Sequence, residues 1–228
     1  MDRLRSVLFK IAFYGLSVPI VLLAPVMALF GQRVFRRWVL FWTQYHAWCS
    51  RNLAGIRVRV EGAPLATPAL YASKHQSFLE TFELVRMLGA PTVVMRHEFA
   101  RIPVWGWAAR RYGIIIIDRS GAASALRQMM REAKAAGAAG RSVILFPEGT
   151  RSAMGETPPV QAGLAGLYRA VGLPVVPVAL DSARVWPKHG PMRPGVVTFR
   201  FGEAIPAGLK REEIESRVFR AINAKNLV

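Results

Sequence analysis

The most chemically suggestive pair of side chains is His75 and Glu80, in the segment SKHQSFLETF at residues 73–82. A histidine can accept a proton near neutral pH because its ordinary pKa is ~6.5. A neighbouring carboxylate can hold the ring in one tautomer and stabilise its protonated form. On a continuous helix, residues five apart point about 140° away from each other. The pair therefore requires His75 to lie in the turn before a helix.

The same segment also has a purely structural interpretation. Ser77, followed three positions later by Glu80, matches a capping box, in which each side chain satisfies the other residue's backbone N–H. Ser77 would then be the N-cap of a helix over residues 78–88. The capping box and the His–Glu pair need the same carboxylate, so this segment alone leaves both interpretations open.

A second polar cluster is the segment FPEGTRS at residues 146–152. Its proline and glycine shape a loop, while Thr150, Arg151 and Ser152 offer two hydroxyls and a guanidinium group. Arginine binds phosphate oxygens through two parallel hydrogen bonds, so the cluster suits a phosphate monoester. The alternative is a solvated turn closed by a Glu148–Arg151 ion pair.

Short apolar runs alternate with helix-like segments after residue 50, which predicts an α/β fold with a mostly parallel central sheet flanked by helices. The predicted strands cover residues 56–60, 68–73, 91–95, 113–118, 141–146, 173–180 and 195–201. The predicted helices cover residues 78–88, 99–111, 122–136, 163–171 and 210–225. Ligands of open α/β sheets bind beyond the carboxyl ends of the strands. His75, the Asp118–Arg119 pair and FPEGTRS each follow a predicted strand, so we expect them to meet at one edge.

Composition indicates an anionic partner. The 228 residues include 31 Lys and Arg against 14 Asp and Glu, a formal net charge of +17, and 52% of them are hydrophobic. Such apolar content favours a membrane surface with anionic lipids over nucleic acid. The single cysteine, Cys49, excludes an internal disulfide framework.

The N-terminal region suggests where the chain acts. Residues 11–32 carry no charge, which reaches the ~20 residues needed to cross a bilayer, and an aromatic stretch follows at 38–48. We predict a two-helix membrane anchor over residues 1–50, preceding an α/β domain over residues 51–228. Basic residues flank the anchor on both sides, so both ends are expected to be cytoplasmic. A cleaved signal peptide and two buried helices of a soluble core are the alternatives.

Four ordered segments, HQSFLE, GIIIIDR, FPEGTRS and VVPVAL, resemble the conserved blocks of the glycerolipid acyltransferases. The sequence is most similar to the bacterial 1-acylglycerol-3-phosphate O-acyltransferases. This resemblance covers residues 75–180, nearly half the chain, and FPEGTRS at its distance from the histidine is the most specific element.

The resemblance implies a role for each matching residue. His75 falls on the general base and Glu80 on the acidic residue that orients it. Arg119 falls on the arginine of the second block. The third block, associated with the glycerophosphate acceptor, is represented by Glu148, Gly149, Thr150 and Arg151. Two positions depart from the family pattern, since aspartate is usual in place of Glu80 and asparagine is frequent in place of Lys74.

The resemblance implies transfer of an acyl group from acyl-CoA or acyl carrier protein to the sn-2 hydroxyl of lysophosphatidate, at the cytoplasmic face of a bacterial inner membrane. Neither a cofactor nor a metal is expected. Alternative acceptors are another lysophospholipid or a lyso-ornithine lipid. A non-enzymatic, basic membrane-binding protein is the alternative from another functional class. A serine hydrolase is disfavoured because the sequence has no G-x-S-x-G turn.

Overall fold

The computed structural model describes residues 1–118 and 122–224. The α-helices are α1 (Asp2–Leu22), α2 (Ala24–Leu29), α3 (Gln32–Asn52), α4 (Leu79–Leu88), α5 (Trp105–Tyr112), α6 (Ala122–Ala138), α7 (Gly163–Val171) and α8 (Arg211–Ile222). The strands are β1 (Ile56–Glu61), β2 (Leu70–Ser73), β3 (Thr92–Arg96), β4 (Ile115–Ile117), β5 (Val143–Leu145), β6 (Val175–Leu180) and β7 (Gly195–Phe201).

The strands form one sheet in the order β1–β7–β6–β2–β5–β3–β4. All neighbouring strands pair in parallel except β6 and β7, which are antiparallel. This arrangement confirms the predicted mostly parallel sheet. The strand predicted over residues 113–118 is shorter in the structure, where only the three residues of the edge strand β4 pair with a neighbour.

Alternating side chains of the central strands enter two apolar layers, one on each face of the sheet. On β2, Tyr71 packs in the layer of α4 and the N-terminal helices, whereas Leu70 and Ala72 pack in the layer of α6, α7 and α8. Successive residues of a strand point to opposite faces. Burial on both faces of the sheet therefore explains why the sequences of the central strands are continuous apolar runs.

The N-terminal helices α1 and α3 lie antiparallel to each other. The indole N–H of Trp38 donates to the carbonyl of Ile20, and the Tyr45 hydroxyl donates to the carbonyl of Ala12. Phe9 on α1 is fully buried in the layer that also contains Tyr71 of β2. Among the described helices, α1 is the one whose length and composition would allow it to cross a membrane. The two-helix anchor over residues 1–50 and the domain boundary after it stay predictions.

The predicted helix over residues 99–111 is wrong in its first half. The chain forms a 3₁₀ turn at His97–Arg101, and α5 begins only at Trp105. Pro103 explains the break, because proline lacks an N–H and disfavours the helical conformation at the preceding residue. The two pieces approach closely at Gly106, where an added Cβ would overlap the carbonyl oxygen of Ala100.

This close approach makes Gly106→Ala destabilising, because α5 would have to move away from the 3₁₀ turn. We expect the free energy of unfolding to fall by about 1–3 kcal/mol, as in other overpacked sites. Gly15→Ala in α1 is the matched control, since an added Cβ there meets no atom within 4 Å. Thermal unfolding in detergent micelles measures both variants, and equal melting temperatures would contradict the close contact.

Candidate active site

Loops that follow three neighbouring strands build the site. His75 lies just beyond β2, FPEGTRS follows β5, and Ser182 follows β6. The loops are joined by backbone hydrogen bonds, since the Ser152 N–H donates to the His75 carbonyl at 2.8 Å. The expected meeting of His75 with FPEGTRS at one sheet edge is therefore confirmed. Of the predicted third contributor, the Asp118–Arg119 pair, Arg119 lies outside the described residues, and the Asp118 carboxylate lies 3.7 Å from the His97 Nδ1.

His75 and Glu80 contact each other as the sequence predicts. The His75 Nδ1 lies 3.0 Å from the Glu80 Oε1. Helix α4 begins at Leu79 with Phe78 as its N-cap, so the predicted N-cap at Ser77 was wrong by one residue. His75 thus lies in the turn before the helix, which is the condition that the pair requires.

The Glu80 carboxylate is fully buried and accepts hydrogen bonds at both oxygens. Its Oε1 accepts the backbone N–H groups of Gln76 and Ser77, each at 2.5 Å, as well as the His75 Nδ1. Its Oε2 accepts the hydroxyls of Ser77 at 2.6 Å and Ser182 at 2.8 Å. One carboxylate therefore accepts the free backbone N–H groups before α4 and also orients the histidine. The two interpretations of this segment do not exclude each other.

These hydrogen bonds decide the ionisation of Glu80. Burial by itself would raise its pKa, because a charged carboxylate loses its hydration. The hydrogen bond and charge of His75, together with the hydrogen bonds of Ser77, outweigh burial and lower the pKa below its ordinary value. Glu80 is therefore ionised at neutral pH.

An ionised carboxylate can only accept hydrogen bonds, so the His75 Nδ1 must carry a proton. The other ring nitrogen, Nε2, is then the one with a free lone pair in the neutral ring. Phe146 stacks on the imidazole with 4.2 Å between ring centroids, which limits its rotation. The His75 side chain is 17% exposed and lines a large cavity. A substrate in this cavity can therefore reach the imidazole ring.

Glu148 is buried beside the histidine. Its Oε2 accepts the backbone N–H of His75 at 3.0 Å, and its Oε1 contacts the Lys74 Nζ at 2.6 Å. The Glu148–Arg151 pair considered from the sequence is replaced by the Lys74 pair, and the Arg151 guanidinium lies 4.4 Å from the centroid of the Phe78 ring. The role in acceptor binding that the resemblance implies for Glu148 stays a prediction.

The other residues of the third block face the same cavity as His75: Gly149, Thr150 and Arg151. Gly149 has a φ of 71°, which favours glycine, and its N–H donates to the Phe146 carbonyl at 3.0 Å. This tight turn directs the exposed Thr150 and the partly buried Arg151 toward the cavity.

The cavity has a volume of about 1420 Å³ and a mostly apolar lining that extends from His75 to α1, α3 and α5. Apart from histidine, the charged residues among its described lining are cations: Arg96, Arg151 and Lys188. The described lining includes no carboxylate. Such a cavity suits a ligand with a long apolar part and an anionic group.

Two contributors to the site were missed from the sequence. Ser182 donates a hydrogen bond to Glu80 from a loop about a hundred residues away in sequence. Phe146, the first residue of FPEGTRS, stacks on the imidazole of His75, a role that the sequence did not predict. Ser182 comes two residues after VVPVAL, which is the one signal that could have identified it. Within the described ranges, no group of three His, Cys, Asp or Glu residues is arranged to hold a metal ion.

Comparison with known proteins identifies relatives by their sequence. The chain is 35% identical over 188 residues to a 1-acyl-sn-glycerol-3-phosphate acyltransferase of Pseudomonas aeruginosa, covering 81% of this chain and 72% of that protein. It is 32% identical over 180 residues to the human 1-acyl-sn-glycerol-3-phosphate acyltransferase alpha, covering 76% of this chain and 62% of the human one.

A solved structure extends the likeness to nearly the whole fold. The crystal structure of a 1-acyl-sn-glycerophosphate acyltransferase from Thermotoga maritima matches with a TM-score of 0.75 and 22% identity, covering 98% of this chain and 95% of that one. Residues 40–181, which include His75, Glu80 and FPEGTRS, match the family described as Acyltransferase. With this match and the identity to the Pseudomonas protein, the chain belongs to the acyltransferase family.

Proposed function

We propose that this chain transfers a fatty acyl group from an acyl thioester to the sn-2 hydroxyl of 1-acylglycerol-3-phosphate, with phosphatidate and a free thiol as products. The observation that carries the proposal is the His75–Glu80 pair at the edge of a large apolar cavity with cationic side chains. The names of the relatives from Pseudomonas and human support the same acceptor.

His75 acts as the general base in this reaction. Its Nε2 takes the proton of the acceptor hydroxyl as the oxygen attacks the thioester carbonyl carbon. The tetrahedral intermediate collapses with cleavage of the carbon–sulfur bond, and the protonated imidazole returns the proton to the leaving thiolate. The acceptor itself is the nucleophile, so no acyl-enzyme forms.

Glu80 keeps this proton transfer in one geometry. Its carboxylate holds the Nδ1–H tautomer and stabilises the imidazolium that forms during attack. The donors from Gln76, Ser77 and Ser182 fix the carboxylate in turn. The base is thus preorganised before substrate binds.

The lining of the cavity suits both substrates. A lysophosphatidate has an apolar acyl chain and a phosphate monoester, and Arg151, which lines the same cavity as His75, provides a guanidinium for the phosphate. Gly149, Thr150 and Arg119 are proposed as further acceptor contacts on the basis of the family resemblance, and Glu148 is proposed to support acceptor binding indirectly, because its carboxylate is held by Lys74 and the His75 N–H. The donor, acyl-CoA or acyl carrier protein, is anionic in both cases and complements the net charge of +17.

We propose membrane attachment through the N-terminal helices, and their exposed apolar surface supports this proposal. Large apolar side chains of α1, α2 and the loop after it are exposed, among them Ile11, Val18, Leu22, Leu29 and Phe30. Exposed apolar patches of this kind are typical of membrane contact. We propose that the helices bind anionic lipids at the cytoplasmic face of the inner membrane, since such lipids attract the basic residues around these helices.

Replacement of His75 by alanine removes the base. We expect kcat for phosphatidate formation to fall about 10²–10⁴-fold, the range of general base catalysis. The assay follows a labelled acyl group from acyl-CoA or acyl carrier protein to lysophosphatidate in vesicles with anionic lipid. His189→Ala, at an exposed loop position, is the control and should keep wild-type activity. A His75→Ala enzyme within threefold of the wild type would contradict the proposal.

The lowered pKa of Glu80 predicts how stability depends on pH. Because the pKa in the fold lies below the ordinary 4.5, the carboxylate stabilises the fold above about pH 4.5, and this contribution is lost as the pH falls through the folded pKa. The melting-temperature difference between wild type and Glu80→Gln should therefore be large at pH 7 and shrink below pH 4.5. Glu213→Gln, in an exposed pair with Arg217, is the control and should show little difference at either pH. A Glu80→Gln difference independent of pH would argue against an ionised Glu80.

Arg151→Gln removes the guanidinium but keeps much of the side-chain volume. We expect KM for lysophosphatidate to rise about tenfold or more, since a hydrogen bond between charged groups contributes about 1.5–3 kcal/mol. KM for a monoacylglycerol, which lacks the phosphate, should stay within twofold. Arg169→Gln on an exposed face of α7 controls for net charge. Equal changes of KM for both acceptors would exclude a phosphate contact at Arg151.

A further inference from the structure

Lys74, directly before the catalytic histidine, is a buried cation with a complete set of partners. The residue is only 5% exposed. Its Nζ contacts the Glu148 Oε1 at 2.6 Å, the Glu156 carbonyl at 2.8 Å and the Asn223 Oδ1 at 2.6 Å. An ammonium group has three N–H donors, so each donor has one acceptor.

We propose that Lys74 is a positioning residue that connects the end of α8 to the catalytic histidine, so that the rate of acyl transfer depends on Asn223. This inference rests on the proposed function. The connection runs from Asn223 to Lys74, from Lys74 to Glu148, and from Glu148 to the backbone N–H of His75 at 3.0 Å.

The charge of Lys74 is what allows Glu148 to hold the histidine backbone. A buried carboxylate without its cation is strongly destabilised, and it would take up a proton or rotate toward water. Either change weakens its hydrogen bond to the His75 N–H. The backbone of His75 would then be fixed less firmly, and a displacement of ~1 Å at a reacting group can reduce the rate about 10²-fold.

Asn223 gives α8 a specific part in this network. It caps the C-terminus of α8, where the unpaired helix carbonyls favour a nearby cation. Its Nδ2 donates to the Phe219 carbonyl at 2.8 Å, which fixes the amide orientation and turns Oδ1 toward Lys74. Helix α8 packs on the face of the sheet opposite α4, so the network joins the two layers at the active-site edge.

The geometry also excludes substrate binding by the Lys74 ammonium, because all of its donors are used within the protein. Loss of Lys74 or Asn223 should therefore lower kcat and leave KM unchanged. A contact to substrate would instead raise KM.

The first test is a pair of variants at the helix end. We expect Asn223→Ala to lower kcat about tenfold with KM within twofold, and Asn223→Asp, which keeps an acceptor oxygen, to restore kcat to within threefold of wild type. Arg220→Ala, on the exposed side of the same helix, should leave kcat unchanged. Because Asn223→Ala removes only one of three contacts, the fold should persist, which thermal unfolding verifies.

The second test is a double-mutant cycle of Lys74→Met and Glu148→Gln. If Lys74 acts through Glu148, Lys74→Met lowers kcat about 10²-fold, and the double variant loses no more than the worse single variant. Additive losses would overturn the proposed connection, and so would a raised KM with an unchanged kcat.

Hydrogen exchange at the His75 amide separates this inference from the proposed function. Exchange should be faster in Lys74→Met and Asn223→Ala than in wild type, and unchanged in Arg220→Ala. If the wild type makes no phosphatidate, the proposed function fails while the exchange rates still decide the network. Unchanged exchange in both network variants would overturn the role of Lys74.

Discussion

The geometry of the site depends on one buried carboxylate, that of Glu80. A carboxylate loses much of its hydration in such a position, and it stays charged only because backbone and side-chain donors surround both of its oxygens. It lies in the first turn of α4, where the helix dipole also favours a negative charge. The same hydrogen bonds set the entry to the helix, the position of the loop after β6 and the orientation of His75.

The sheet brings the partners of this carboxylate together. Strands β5, β2 and β6 are neighbours and parallel, so their carboxyl ends open at one edge and their loops meet there. Glu148 and Glu80 approach His75 from two directions, one at the backbone N–H and the other at the ring. The imidazole is thus fixed in position by one buried acid and in orientation by the other, beside the cavity that would hold the acyl chain.

Much of this arrangement could be predicted from the sequence. The apolar runs specify a buried parallel sheet, and the rule that ligands bind beyond the carboxyl ends of strands brings His75 and FPEGTRS together. The position of Ser182 after VVPVAL was only a weak signal, because a serine after a strand is common and its partner depends on β6 being next to β2. The contact between Lys74 and Asn223 is equally hidden, since it depends on the face of the sheet that α8 covers. Pro103 could have predicted the break in the helix over residues 99–111. The apolar pattern of that segment nevertheless suggested one continuous helix.

The central claim is that Glu80 holds His75 with a proton on Nδ1 and a free lone pair on Nε2. Nitrogen-15 NMR of protein with labelled histidine, in micelles at a pH where the ring is neutral, measures this directly, with His75→Ala to assign the signals. The account predicts that Nδ1 of His75 is protonated and Nε2 is not, and that Glu80→Ala, which removes the acceptor of the Nδ1 proton, abolishes this preference. A wild-type ring protonated mainly on Nε2 would contradict the account, because that nitrogen could not accept the proton of the acceptor hydroxyl.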